Sequence, residues 1–120
     1  MKFRVVKPIL GFEDINEVEL VKIDKALAEL KDENGNTLFS LINPFVLREY
    51  SFDIPSDVKA LLELNENSKI EVYNNVVMKE PISEAIVNFK APFIFDLDNK
   101  RCAQIVLDNE EYQKIGEFLK

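Results

Sequence analysis

Hydrophobic and polar positions alternate in short runs along this chain, punctuated by Pro, Asn, Asp and Gly. Residues 2–6 form a β-branched and aromatic run ended by Pro8, which predicts a first strand. Residues 8–16, with Gly11 and several carboxylates, read as a loop, and residues 18–23 as a second strand. Residues 25–31 have a helix-forming composition. Against that, Ala26, Ala28 and Leu30 alternate, and Asn34-Gly35 is a strong hairpin signal between strand-like runs. With Thr37–Ile42 strand-like beyond it, the hairpin is the preferred reading.

Asn43-Pro44-Phe45 interrupts the pattern, because Pro44 cannot donate to a central ladder. Tyr50, Phe52 and Ile54 alternate with Ser51 and Asp53, predicting a half-buried strand. Pro55-Ser56 opens a short helix over Ser56–Leu62 with Val58, Leu61 and Leu62 on one face. A longer strand is predicted over residues 69–78, with an irregularity at Asn74-Asn75 and a stop at Pro81. Residues 85–89, 93–95 and 102–107 are further strands, the last two joined by a polar turn over 96–101. Asp108 and Glu111 have capping-box spacing and predict a helix over 109–119, with Tyr112, Ile115, Phe118 and Leu119 on one stripe. Many short strands with a helix in the middle and another at the end predict a mostly antiparallel barrel or sandwich.

The 120 residues fit one domain, and 47% hydrophobic content suffices for a core. A net charge of -7, from 15 basic and 22 acidic residues, disfavours direct nucleic-acid binding and favours a basic partner. A single cysteine, Cys102, excludes an internal disulfide and suits a reducing cytoplasm. The N-terminal residues are too charged for a signal peptide, and no uncharged run reaches the length of a membrane span.

Histidine is absent, which removes Ser-His-Asp and Cys-His catalysis and leaves only Cys102 and carboxylates for a zinc site. Cys102 is either a redox-sensing thiol or, as its apolar neighbours favour, a small core residue. Asp96-Leu97-Asp98-Asn99 opens like a calcium loop, but Arg101 and Leu107 stand where Gly and a bidentate Glu are required. Gly11, Gly35 and Gly116 are too far apart for a phosphate cradle. No catalytic residue, metal site or cofactor is expected. The residues alone lead to an acidic β-rich binding domain.

A series of small motifs narrows this. Gly11-Phe12-Glu13 comes first, then Phe39 to Phe45 ending in Asn43-Pro44-Phe45, then Tyr50-Ser51-Phe52-Asp53-Ile54-Pro55. Ile70-Glu71-Val72-Tyr73, Asn88-Phe89-Lys90-Ala91-Pro92-Phe93-Ile94 and Ala103-Gln104-Ile105-Val106-Leu107 complete it. In this order and spacing, nearly the whole chain resembles the flagellar assembly factor FliW family. It departs by a short lead-in before Gly11 and by Lys90 and Phe93 around Ala91-Pro92. The resemblance implies a β-barrel-like fold with no catalytic activity; with the pattern above, the expectation is one small antiparallel β-barrel-like domain over residues 1–120 with a short middle helix and a C-terminal helix. It also implies two cytoplasmic partners: flagellin, and the translational repressor CsrA, which FliW antagonises to control flagellin synthesis. The alternative is a dedicated flagellin chaperone without CsrA regulation. Phe12, Glu13, Asn43, Pro44, Phe45, Asn88 and Pro92 match family motifs and are the candidates for partner binding, each with a structural role as the competing reading.

Overall fold

In the computed structural model, which describes residues 1–119, nine strands share one sheet, and seven of them close into a barrel. The strands are β1 (Lys2–Lys7), β2 (Glu17–Lys22), β3 (Leu27–Lys31), β4 (Thr37–Ile42), β5 (Ile70–Val77), β6 (Ile86–Asn88), β7 (Phe93–Asp96), β8 (Arg101–Gln104) and β9 (Tyr112–Lys114). Around the ring the order is β1-β2-β3-β4-β5-β7-β8 and back to β1. A closed ring of purely antiparallel pairs needs an even number of strands, so seven require a parallel seam. That seam is β1 against β8, where Arg4 lies beside Arg101 and Val5 beside Cys102.

Alternation along each strand sends one set of side chains into the barrel. Phe3, Val18, Leu20, Ala28, Leu30, Leu41, Tyr73, Phe93, Phe95 and Cys102 form this inner core, with at least one residue from every ring strand. Aromatic edges meet inside it: Phe3 and Phe95 have ring centroids 5.0 Å apart, and Phe39 and Phe93 5.5 Å. A second core lies on the outer face of β5, β7 and β8, carried by Val76, Ile94 and Ala103. It is covered by helix α1 (Ser56–Leu62), which buries Val58 and Leu62, and by Tyr50, Phe89 and Ile115. At the end of α1, Arg101 of β8 pairs with Glu63 and donates to the Leu61 carbonyl at 3.3 Å, which fixes the helix to the seam.

The predicted hairpin stands: Asp32 accepts the amides of Asn34 and Asn36, both at 2.9 Å, and Gly35 takes φ +83°. The predicted irregularity at Asn74-Asn75 is a change of partner. Up to Tyr73 one edge of β5 pairs with β7; from Val76 that edge pairs with β6. The β6–β9 pair thereby leaves the barrel as an extension.

Three expectations require correction. The helix over 109–119 is instead the strand β9 followed by a 3-10 turn at Ile115–Phe118. Residues 112–114 are extended because β6 offers them a ladder, Val87 facing Gln113. The capping contact forms six residues later than predicted, where Glu117 accepts the Lys114 amide at 2.9 Å. Residues 105–107 lie beyond the end of β8. The Ile105 and Leu107 amides keep the β7–β8 register, donating to the Pro92 and Lys90 carbonyls at 3.1 and 2.6 Å, but Pro92 has no amide to return and Lys90 gives its own to Asn88 Oδ1. Finally, residues 50–54 keep their predicted alternation but join no sheet. Among the described residues no helix is long and apolar enough to cross a membrane.

Candidate binding surface at one mouth of the barrel

The register places the ends of β2, β4 and β7 and the starts of β3, β5 and β8 around one mouth of the barrel. Lys22 ends β2, and Glu71 lies near the start of β5; β3 and β4 stand between those strands. The Lys22 ammonium nevertheless donates to Glu71 Oε2 at 2.7 Å, so the ion pair spans the mouth. The hydrogen bond to Glu71 raises the Lys22 pKa above its ordinary value, against a partial desolvation that lowers it. Tyr73 lies just inside, and burial raises its phenol pKa. Glu71 Oε1 is buried and has no hydrogen-bond partner among the described residues. One oxygen of this carboxylate therefore holds Lys22 while the other, enclosed, has spare accepting capacity.

Asn43 and Phe45 form the rim beside this pair. Asn43 follows β4 and accepts the Phe45 amide through Oδ1 at 3.0 Å, capping a 3-10 turn over Pro44–Val46. Pro44 occupies the first turn position, where a missing N–H costs nothing, and is buried. The turn presents Phe45 outward, 54% exposed, with Val46 exposed next to it. Phe45 borders a cleft of ≈ 270 Å³ with Asn43, Ile70, Glu71, Val72 and Tyr73. A neighbouring cleft of ≈ 610 Å³ continues past Glu71 to Lys22, Ile23 and Lys25. Ile23 is 58% exposed. The mouth thus combines exposed apolar side chains with one partly exposed ion pair.

The remaining candidates lie elsewhere. Phe12 and Glu13 belong to the loop over 8–16, which folds across the opposite mouth. There Phe12 meets Phe39 edge-on, centroids 5.2 Å apart, and Ile9 is fully buried. Phe12 is a plug for the inner core, and Glu13 holds the loop by accepting the Gly11 amide at 3.2 Å. Asn88 and Pro92 are internal scaffolding. Asn88 accepts the Lys90 amide through Oδ1 at 3.0 Å and the Asn74 amide side chain through its carbonyl at 2.9 Å. Pro92 is buried, and its carbonyl takes the Ile105 amide.

The structure therefore brings Asn43, Pro44 and Phe45 together and separates them from the other four. Sequence reading missed Lys22, Ile23, Ile70 and Glu71, because only the register across four strands brings them to one mouth. The exposed apolar Ile23, directly after a strand and before Asp24-Lys25, was the one local signal. Cys102 lies in the inner core, and burial pushes its thiol pKa up to about 12. A thiol held protonated and enclosed has little nucleophilic character.

Comparison with known proteins gives a consistent result. The family model described as FliW protein matches residues 1–115. A flagellar assembly factor FliW 1 from Wolinella succinogenes is 46% identical over 127 aligned positions, covering 100% of this chain and 99% of the relative. A flagellar assembly factor FliW from Sulfurimonas denitrificans is 45% identical, with the same coverage of 100% and 99%. A Helicobacter pylori relative, also named flagellar assembly factor FliW 1, is 42% identical over 97% of this chain and 88% of its own length. A crystal structure of the flagellar assembly factor FliW superposes with a TM-score of 0.84 at 22% identity, covering 94% of this chain and 82% of that one, so the fold is shared.

Proposed function

The chain belongs to the FliW family of flagellar assembly factors, and on that footing we propose that it is a non-enzymatic cytoplasmic regulator that binds flagellin and the translational repressor CsrA. Antagonism of CsrA then controls flagellin synthesis. The observation that carries this reading is Phe45: a large aromatic held outward on a capped turn, beside a cleft, on an otherwise acidic chain. Aromatic side chains fixed at the edge of a pocket are the usual anchors of protein interfaces. The net charge of -7 suits a basic partner by steering its approach. The absence of histidine and the enclosed, protonated Cys102 favour binding over catalysis.

A regulator that reports flagellin must bind CsrA less tightly once flagellin is bound. By linkage CsrA then weakens flagellin binding by the same factor. A useful coupling is at least ~1.4 kcal/mol, a tenfold change in affinity. Titrating a labelled complex of this chain and CsrA with monomeric flagellin should release CsrA. A stable ternary complex with both affinities unchanged defeats the sensor, and failure to bind CsrA at all leaves the dedicated chaperone.

A further inference from the structure

Residues 50–54 are an extended segment without a sheet. Tyr50, Phe52 and Ile54 pack on the outer core, while Ser51 and Asp53 point to solvent. No backbone N–H or C=O from Ser51 to Ile54 has a hydrogen-bond partner among the described residues. Across a cleft of ≈ 510 Å³ lies the stretch after β8. There Ile105 and Leu107 turn their amides inward to the Pro92 and Lys90 carbonyls. Val106, between them, has an amide unpaired among the described residues and a side chain 54% exposed. Arg48, bonded to Glu110 and Gln113, fastens the two walls where the cleft begins. Each wall is thus an extended stretch with unpaired main-chain groups, held apart from the other.

We propose that this cleft is a strand-addition site for an extended segment of a partner protein in which apolar and basic residues alternate. An unpaired edge with a fixed register is a template for a further strand, whose main-chain bonds supply affinity while its side chains supply specificity. Phe52, Val106 and Leu107 give the apolar contacts, and Asp53 and Asp108 stand on opposite walls with no basic residue lining the cleft among the described residues. At about 3.3 Å per residue, the free stretch accommodates roughly five residues of an incoming strand. A second copy of this chain is a poor occupant, because two molecules of charge -7 repel. Strand addition requires no particular partner identity, so loss of CsrA or flagellin binding would leave it standing.

The test uses an acetylated and amidated Lys-Val-Lys-Val-Lys-Val peptide titrated into ¹⁵N-labelled protein. The largest amide shifts should fall on residues 51–54 and 106–109, with hydrogen exchange there slowed at least tenfold. Methylating alternate peptide nitrogens preserves charge but removes strand pairing, and should weaken binding at least tenfold. The double variant Asp53→Lys, Asp108→Lys, at two exposed sites, should weaken it by a similar factor. Shifts confined to other surfaces, an N-methylated peptide that binds equally well, or no binding at millimolar peptide would each overturn the proposal.

Discussion

Glu110 receives both terminal nitrogens of Arg48, at 3.1 and 3.2 Å, while the Arg48 guanidinium lies over the Phe89 ring, 4.9 Å from its centroid. One residue thus joins the segment before Tyr50, the stretch before β9 and the outer core. Glu110 keeps only 13% of its side chain exposed and Arg48 29%. Arg48→Ala should therefore cost about 2 kcal/mol, less than the ~3–5 kcal/mol of a fully buried pair, by leaving a poorly solvated carboxylate alone. Arg48→Lys should recover less than half of that, because an ammonium cannot form the fork. Urea unfolding checks both, and a change under about 0.5 kcal/mol for Arg48→Ala would refute the assignment.

Tyr50 supplies a second internal tie. Its hydroxyl donates to the Phe89 carbonyl at 2.6 Å and accepts from Asn74 Nδ2 at 3.2 Å. Tyr50→Phe removes one partner from each and should lower stability by about 1–2 kcal/mol with the fold retained. Thermal unfolding together with an unchanged amide spectrum outside residues 50, 74 and 89 is the expected result.

At the mouth of the barrel, stability and binding should separate. Phe45→Ala removes a mostly exposed ring and should change stability by less than about 1 kcal/mol. It should weaken CsrA or flagellin at least tenfold. Asn43→Ala deletes the cap and should cost about 1 kcal/mol. It should also loosen binding, and Asn43→Asp should restore both. If Phe45→Ala unfolds the protein instead, Phe45 serves the fold and the binding assignment fails.

Alkaline pH should destabilise the fold through Cys102. Burial raises its thiol pKa from an ordinary 9.0 to about 12. Above pH 9 the unfolded chain loses this proton while the folded chain keeps it, so stability is full below about pH 9 and declines toward pH 12. Complete titration corresponds to about 4 kcal/mol at 1.36 kcal/mol per pH unit. Tyr50 and Tyr73, also raised by burial, add a loss of the same sign above about pH 10. Cys102→Ala should flatten the decline in urea-unfolding free energy between about pH 8 and 11, although its starting stability is lower. An equally steep decline would show that the thiol is not responsible.

Gly116 carries a constraint of another kind. A Cβ there would lie 2.9 Å from the Ser83 carbonyl oxygen. Gly116→Ala should therefore push the last 3-10 turn off the turn at Ile82–Glu84, at a cost of about 1–3 kcal/mol. A melting temperature equal to that of the parent would contradict this packing.

Local chemistry wrote much of this fold visibly. Asn34-Gly35 announced its hairpin because the turn needs a positive φ that glycine adopts freely. Ser56–Leu62 showed its apolar face and formed over those residues. Where distant partners decide the outcome, the signal was absent or misleading. The stripe through Tyr112, Ile115 and Phe118 suits a helix, yet pairing with β6 and the pull of Arg48 on Glu110 and Gln113 favour extension. The alternation of residues 50–54 correctly gave their buried face but could not reveal that no strand lies alongside. At the site, Asn43-Pro44-Phe45 was legible as a local turn. The Lys22–Glu71 bridge was not, since two residues from non-adjacent strands meet only once the ring is closed.

The parallel seam between β1 and β8 has a consequence for the order of events on the ribosome. The hairpins from β1 to β4 pair neighbours in sequence and can assemble while the rest is being translated. Arg4 must wait for Arg101, and Val5 for Cys102, before the ring exists. Until then the nascent chain is an open sheet with one edge of β1 unsatisfied, a form prone to wrong pairing. Closure over so long a loop is also the slow kind of contact to make. The enclosed core that Phe3 shares with Phe95 and Cys102 is therefore completed late.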